Sequence, residues 1–302
     1  MKLIALLIGL LIERLATQLF HLRELRWLDS VIDAGSEKIF RSTKWPPVVP
    51  VLLLTALLVL PVFAVMLLLG NTLFGFPYLL VAIVVLFFSL GPTDIGEEVD
   101  AYCAAVEAKD PEAIRRTAKA LLEHDVPEDD RARTLAVEKA VFVQANNRLF
   151  AVIFWFVLLG PLGAWSYRIT DLIRRRTVFR AGRHEAEEHY SKIASAANSV
   201  HSWVAWVPAR LTACGYALAG SFDDAFAVWR ESPTQVTPTT GVRSDELLAR
   251  VGVASLALPP LDDENEESRA IRGATAANRL VFRLLFFWAV VIAGMTLYGW
   301  SV

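Results

Sequence analysis

Nine residues whose side chains suit ligand binding stand inside or beside long apolar runs of the sequence. They are Glu13, Arg14, Asn147, Arg148, Tyr167, Arg168, Asp171, Trp206 and Arg210. A charge at membrane depth is costly, so it usually pairs internally or lines a polar cavity. Because a guanidinium fork matches carboxylates and phosphates, this set predicts a polar pocket at the cytoplasmic membrane surface for a small anionic metabolite. The alternative is structural, with side chains that reach to lipid headgroups or form an internal ion pair.

Arg210 is the most unusual member of the set, because it is the one charge in the tryptophan-rich segment 203–211. Its burial would demand a carboxylate partner, and Glu13 and Asp171 are the candidates. Pro208 lacks an amide N–H and tends to break a helix. We therefore expect a helix break before Pro208 that aims the Arg210 guanidinium into the pocket.

Motifs for other chemistries are missing from the sequence. The nearest approach to a Walker A phosphate loop, residues 91–97, places an acid where the lysine should be. There is no nucleophile elbow and no zinc-protease helix, and Cys103 and Cys214 lie far apart without a metal-binding spacing. No cofactor and no metal site are therefore expected, and use of ATP or Mg²⁺ is left open. Whether the chain is an enzyme is left open as well.

The amino-acid composition of the chain indicates what kind of elements position these residues. Of 302 residues, 55% are hydrophobic and 21% are charged, which is too apolar for an ordinary soluble domain. The lipid bilayer is thus an expected partner. The formal net charge is only -2, so no overall field favours nucleic acid as a partner. The oligomeric state is not determined by these features.

Four apolar stretches follow the first run, which covers 3–20 and is either a short span, the favoured interpretation, or an interfacial helix. An uncharged region between Lys44 and Asp94 fits two crossings, at about 48–69 and 74–91. A third stretch, 149–167, is interrupted by Gly160-Pro161, and the fourth, 284–302, predicts a C-terminal span. Basic residues before the first long span and after the third stretch indicate that both flanks are cytoplasmic. Accordingly, 149–167 is expected to dip into the membrane and return, or to pair with the weakly apolar segment 193–222.

The predicted fold is all-α: a multi-pass transmembrane helical protein of a cell inner membrane, with cytoplasmic amphipathic helices. We expect one membrane domain, 1–302, with a cytoplasmic helical insertion at 94–148. The region 168–279 is expected to be mainly cytoplasmic helices with a membrane-associated segment at 193–222. Within the insertion, Asp110-Pro111-Glu112 has the residue types of a helix start. The insertion as a whole is predicted to be a soluble helical hairpin and a surface for partners.

Several short motifs occur together in a recognisable order. They are Glu13-Arg14-Leu15, Trp27-Leu28-Asp29, Phe154-Trp155, Gly160-Pro161-Leu162-Gly163-Ala164, Tyr167-Arg168, Trp206-Val207-Pro208-Ala209-Arg210-Leu211, Tyr216-Ala217-Leu218, Ala227-Val228-Trp229 and Leu297-Tyr298-Gly299. Together they resemble the AmpE family of inner-membrane regulatory signalling modulators over nearly the whole chain. That resemblance implies a role in β-lactamase induction and peptidoglycan recycling, beside a cytoplasmic amidase that trims recycled anhydro-muropeptides.

The same residues also resemble, more distantly, the CobD/CbiB membrane synthases of cobalamin biosynthesis. Several acids and amides of the synthase pattern are replaced here, where the matching stretches contain Gln144, Asn147-Arg148, and Asp171 with Arg174. The resemblance therefore implies an inherited pocket with a different ligand. Two functions remain: a membrane sensor or modulator that binds an anionic cytoplasmic ligand, or a membrane-embedded enzyme with synthase-like chemistry on a different substrate. Paired carboxylates near the arginines would favour the enzyme.

Overall fold

The computed structural model describes residues 25–42, 45–69, 76–91, 94–122, 125–183, 188–231, 240–259, 261 and 264–297. In these ranges every regular element is helical, which confirms the all-α prediction. The α-helices are α1 (Arg26–Ser42), α2 (Val48–Leu69), α3 (Phe76–Ser89), α4 (Ile95–Glu107), α5 (Pro111–Leu122), α6 (Asp130–Ala145), α7 (Ala151–Leu159), α8 (Pro161–Arg183), α9 (Glu188–Ala219), α10 (Phe222–Arg230), α11 (Thr240–Leu256) and α12 (Glu266–Leu297). A π-helical turn, Asn146–Phe150, joins α6 to α7.

Three described helices are long and apolar enough to cross a membrane: Val48–Leu68, Asp130–Leu159 and Glu266–Met295. α2 and α3 begin and end within two residues of the predicted spans, and α2 presents an almost wholly exposed apolar surface, as a lipid-facing helix does. The turn between them, like the predicted first helix at 3–20, lies outside the described residues.

The third apolar stretch reverses direction at Gly160. This residue has φ 70°, a backbone conformation in which glycine avoids the steric cost of a side chain. Gly163 lies so close to the descending arm that a Cβ atom on it would be 2.3 Å from the carbonyl oxygen of Trp155. α7 and α8 therefore pack against each other as a hairpin, with both flanks at the same end. The chain thus reverses within 149–167, whereas the entry of this segment into the membrane, and the side from which it enters, stay predictions.

The region 94–148 contains three helices, α4 to α6, so the predicted two-helix hairpin is wrong. The reason is the break after Leu122, beyond which Asp129 caps α6 by accepting a hydrogen bond from Ala132 N at 2.8 Å. The helix start at Pro111 is confirmed, since Asp110 accepts hydrogen bonds from the amides of Glu112 and Ala113.

Buried apolar residues form three clusters. The largest joins α4, α5, α6 and the π-helical turn to α9 to α12, a second lies around the hairpin tip, and a third joins α1 and α2 to α3, α8 and α9. α9 contributes residues to all three. The predicted break before Pro208 is wrong, because α9 runs without interruption from Glu188 to Ala219. α12 is also longer than the predicted span, since its first half packs against α4 and α6.

Candidate functional site

Asp171 lies at the centre of a buried group of ionisable side chains and has no exposed surface. Its Oδ1 accepts a hydrogen bond from Arg174 Nη2 at 2.7 Å, and its Oδ2 accepts one from Arg175 Nε at 2.7 Å. Arg168 Nη1 lies 3.4 Å from the same Oδ2. These residues are three or four positions from Asp171, so one face of α8 presents all four side chains together.

Residues of α6 and of the π-helical turn that leads into α7 extend this group. Gln144 Oε1, at the end of α6, accepts hydrogen bonds from Arg175 Nη2 at 3.4 Å and from Arg148 Nε at 3.1 Å. Arg148 is in turn bound by Glu98 of α4, whose two carboxylate oxygens both lie 2.9 Å from Nη1. We call Glu98, Gln144, Arg148, Arg168, Asp171, Arg174, Arg175 and His201 the Asp171 network.

Gly91 is needed for this arrangement on the α3 side. A Cβ atom at this position would be 2.8 Å from Arg148 Cβ, and its amide donates to the Arg148 carbonyl at 3.2 Å. The glycine that resembled part of a phosphate loop thus makes room for an arginine. Its position between α3 and α4 ties the end of the apolar helix α3 to the network.

His201 of α9 completes the network, with Nε2 3.7 Å from Asp171 Oδ1. The imidazole is buried and its ring centroid is 5.4 Å from that of Tyr167. At 3.7 Å the His201–Asp171 contact is longer than a hydrogen bond. α9 thus contacts both Asp171 and the tyrosine of the α8 motif.

The π-helical turn places two neighbouring amides beside the network. Asn147 Oδ1 accepts from Asn146 Nδ2 at 3.0 Å and from the Tyr167 hydroxyl at 3.4 Å. Asn146 Oδ1 is buried and has no hydrogen-bond partner among the described residues. Such turns insert one residue per turn and occur frequently at functional sites. The turn therefore distinguishes this part of α6–α7 from a plain buried helix.

A groove of about 1190 Å³ lies between α6, α8 and α11 and reaches the network. Its lining includes Gln144, Asn147, Arg174 and Arg175. Other charged residues of the lining are Lys139, Asp245, Glu246 and Arg250. With four cations and two acids among its lining residues, the groove has a net positive charge, which favours anions.

The geometry favours binding by this site over acid–base chemistry by Asp171. Both carboxylate oxygens are held by guanidinium groups, which favour the ionised form and occupy the lone pairs that a general base would use. The described residues contain no group of three or more His, Cys, Asp or Glu side chains that could hold a metal ion. Asp171 therefore fixes the arginines that line the groove.

Five of the nine sequence-predicted site residues come together in this region: Asn147, Arg148, Tyr167, Arg168 and Asp171. Glu13 and Arg14 lie outside the described residues. Arg210 and Trp206 form a separate contact. The Arg210 guanidinium lies over the Trp206 ring at 4.0 Å from the centroid, and Nη1 donates to the Trp206 carbonyl at 3.2 Å.

The expectation that Asp171 pairs with Arg210 is therefore wrong. Asp171 is already held by Arg174 and Arg175 from its own helix, while Arg210 is half-buried and held by an aromatic ring one turn away. An arginine can lie against a tryptophan face without a carboxylate partner.

The basic cluster in the C-terminal part of α8 is also partly paired. Arg176 and Arg180 both contact Asp33 of α1, with Arg176 Nε 2.9 Å from Asp33 Oδ1. Hydrogen bonding from Arg176 lowers the pKa of Asp33, against a smaller opposing effect of burial. These bonds fix α1 to the end of α8 that carries the network.

Five network members were not among the nine sequence-predicted site residues: Glu98, Gln144, Arg174, Arg175 and His201. Arg175 could have been found, because Asp171, Arg174 and Arg175 have the spacing of neighbours on one helix face. His201 lies in a weakly apolar segment, where an ionisable residue is by default a candidate. Nothing local distinguishes Glu98 from the other acids of α4, since its partner is fifty residues away.

Comparisons with known proteins identify relatives of two kinds. The model of the family described as regulatory signalling modulator protein AmpE matches residues 1–302. Protein AmpE of Shigella flexneri is 27% identical over 303 aligned residues, which cover 99% of each chain. Cobalamin biosynthesis protein CobD of Stutzerimonas stutzeri is 30% identical over 164 residues, and that of Chromobacterium violaceum is 26% identical over 165. The chain spans about half the length of these two CobD proteins, 52% and 51%. No solved structure matches.

Proposed function

The chain belongs to the AmpE family of regulatory signalling modulator proteins, and on that premise we propose that it is a multi-pass inner-membrane sensor of an anionic cytoplasmic ligand. The observation that supports this most is the groove between α6, α8 and α11, which is lined by two arginines of the Asp171 network. Arg174 and Arg175 each donate a hydrogen bond to Asp171, which fixes two guanidinium groups in the wall of the groove, where they attract an anion.

The size and charge of the groove suit a sugar–peptide better than a simple ion. Its volume exceeds the range of roughly 300–1,000 Å³ for small-molecule clefts. A recycled muropeptide carries carboxylates on its peptide stem, which match Lys139, Arg174, Arg175 and Arg250 in charge. We propose such a cell-wall recycling product as the ligand, with β-lactamase induction as the process that the protein modulates.

A route from the groove to the membrane helices supports a signalling role. Gln144 and Arg175 line the groove and are bonded to each other, and Gln144 also binds Arg148, which packs on Gly91 at the end of α3. A ligand that pulls on Arg175 would thus alter contacts of a membrane helix. The cytoplasmic amidase of this process, or another recycling protein, is the proposed receiver of that change.

The binding proposal is tested with residues outside the Asp171 network. Lys139→Gln and Arg250→Gln each remove one groove cation without disturbing Asp171. Lys119→Gln, at an exposed position of α5, is the matched control. Calorimetry of the purified protein with an anhydro-muropeptide should show the dissociation constant raised about tenfold by each groove variant, the worth of one charge-assisted hydrogen bond. No binding by wild type, or equal binding by all variants, would contradict the proposal.

The alternative is an enzyme with CobD-like synthase chemistry on a different substrate, favoured by the partial alignment with the two CobD proteins. General acid–base work by Asp171 is disfavoured because guanidinium groups hold both its oxygens. Turnover of an anhydro-muropeptide by wild type that Asp171→Asn abolishes would favour the enzyme over the sensor.

A further inference from the structure

A second groove lies where α12 changes from amphipathic to wholly apolar. It has a volume of about 620 Å³, and Arg272, Arg279 and Arg283 line it, with no acidic residue among its lining residues. Arg272 is already paired with Glu264, with Nε 2.6 Å from Oε1. Neither Arg279 nor Arg283 forms an ion pair or hydrogen bond with any residue in the described ranges, and both side chains are exposed. Two cations are thus available at one end of this groove.

A third groove, of about 570 Å³, lies further along the same helix. Its α12 lining includes Phe287, Val291 and Met295, and apart from the exposed thiol of Cys214 on α9 its side chains are hydrophobic. Positions 279, 283, 287 and 291 are four residues apart, so each side chain neighbours the next along α12. The basic and apolar grooves therefore lie in succession along α12, and we call the two together the trough, with a basic end and an apolar end.

The α9–α12 seam forms the wall of this trough. Leu284 is buried and packs so closely on α9 that a Cβ atom on Gly215 would be 2.4 Å from Leu284 Cδ1. Gly220 lines the basic part of the trough, and Leu218 lines the apolar part. Gly220 directly follows the last residue of α9, so both parts lie along α12 at the C-terminal end of α9, and an elongated molecule could occupy them together.

We propose that this trough binds one anionic phospholipid, with its phosphate between Arg279 and Arg283 and an acyl chain beside Phe287 and Val291. Basic pockets between helices on the cytoplasmic side of a membrane bind anionic headgroups in this way. The order of charge and apolarity along α12 matches the order of headgroup and chain. A free anion would use only the basic half and leave the apolar half unused.

The headgroup half is tested by native mass spectrometry of the full chain in detergent with added phosphatidylglycerol or phosphatidylcholine. Wild type should retain phosphatidylglycerol in preference to phosphatidylcholine. Arg279→Gln/Arg283→Gln should weaken phosphatidylglycerol binding about thirtyfold, given the contribution of two basic residues near an anionic surface. Arg115→Gln/Arg116→Gln removes the same two charges from exposed positions of α5 and should leave the binding unchanged. Equal retention by the two double variants would overturn the proposal.

The acyl half is tested by competition and by filling the trough. Glycerol phosphate, which has the headgroup charge without chains, should not displace phosphatidylglycerol at millimolar concentration. Cys214→Trp should lower phosphatidylglycerol occupancy, whereas Leu57→Trp, on the lipid-facing surface of α2, should not. Displacement by glycerol phosphate, or full occupancy in Cys214→Trp, would show an anion site without an acyl groove and would overturn the proposal. These results are independent of the muropeptide groove, which lies between other helices.

Discussion

The indole N–H of Trp155 donates a hydrogen bond to the carbonyl oxygen of Val204 at 3.0 Å. Val204 precedes Pro208 by four residues in α9, and in a regular helix its carbonyl would accept from the amide of residue 208. Proline has no amide hydrogen, so α7 supplies the missing donor. This explains why α9 passes through Pro208 unbroken, and it connects two motifs that look unrelated in the sequence.

Trp155→Phe should destabilise the protein by about 1–3 kcal/mol, because the partly buried carbonyl of Val204 loses its donor. The loss should shrink in a Pro208→Ala background, where the amide of residue 208 satisfies Val204. A double-mutant cycle by thermal unfolding in detergent measures this coupling. Trp203→Phe, on an exposed position of α9, is the control. Additive effects of Trp155→Phe and Pro208→Ala would show that the hydrogen bond does not compensate for the proline.

Asp171→Asn should cost about 3–5 kcal/mol, since it leaves buried guanidinium groups without a compensating charge. Adding Arg175→Gln should recover part of this loss, because one of the uncompensated cations is removed. Asp223→Asn at an exposed position of α10 provides the matched control. Thermal unfolding of wild type, Asp171→Asn, Asp171→Asn/Arg175→Gln and Asp223→Asn measures these differences in stability. An Asp171→Asn protein as stable as wild type would mean that the network does not contribute to stability.

Arg210→Ala should lower stability by only about 0.5–2 kcal/mol, the contribution of a cation–π contact. Arg210→Lys should lie close to wild type, since an ammonium can occupy the same ring face. Thermal unfolding of both variants checks this. A loss as large as that of Asp171→Asn would indicate a buried carboxylate partner, for which Glu13, outside the described residues, would be the remaining candidate.

Asp33 should make stability depend on pH at acidic values. Its pKa is lowered in the folded protein, mainly by hydrogen bonding from Arg176, so its contribution is fully present above its unfolded pKa of about 3.9. That contribution is lost as the pH falls through the lower folded pKa. Asp33→Asn should therefore melt below wild type at pH 7, and the difference should shrink as the pH falls below about 3.9. A difference that stays constant over this range would contradict the assignment.

Gly163→Ala should destabilise the hairpin by about 1–3 kcal/mol, because its methyl group would collide with the backbone of Trp155. Gly182→Ala, later in the same helix, has open space around its Cβ position and should stabilise α8 by up to about 1 kcal/mol. Opposite shifts of the melting temperature are expected from the two variants. Shifts of the same sign would show that the packing at Gly163 is not tight.

The sequence predicted the all-α class, the helices α2 and α3 and the start of α5, because the signals for them are local. For α2 and α3 the signal is a long run without charged residues, and for α5 it is the acid–proline–acid order at its start. The network could be predicted only in part. The contact between Asp171 and Arg168 could be predicted from their spacing on one helix. The ion pair between Arg148 and Glu98, in contrast, joins residues fifty positions apart. Such pairs depend on tertiary packing, which no local pattern encodes.

The unbroken path of α9 shows why a local rule can fail. Proline predicts a break when its effect is considered inside one helix, and the compensating donor belongs to a different helix of the fold. The same reasoning applies to Arg210, whose lack of a nearby acid suggested a distant partner when an aromatic ring one turn away sufficed. In both cases the prediction was wrong because it considered only one kind of partner: a donor within the same helix for the Val204 carbonyl, and a carboxylate for Arg210.

The reversal at Gly160 affects how the protein can be inserted during synthesis. The apolar part of the descending arm, 149–159, rises only about 16 Å, roughly half of the 30 Å hydrocarbon core. In the predicted membrane dip, an arm of this length does not reach across the hydrocarbon core, and it carries Arg148 at its base. We therefore expect stable placement of the arm only after α8 has been synthesised and can pack on α7 and against α2 and α3, which precede both in the chain. The chain order thus places α2 and α3, against which α8 packs, before α8 itself.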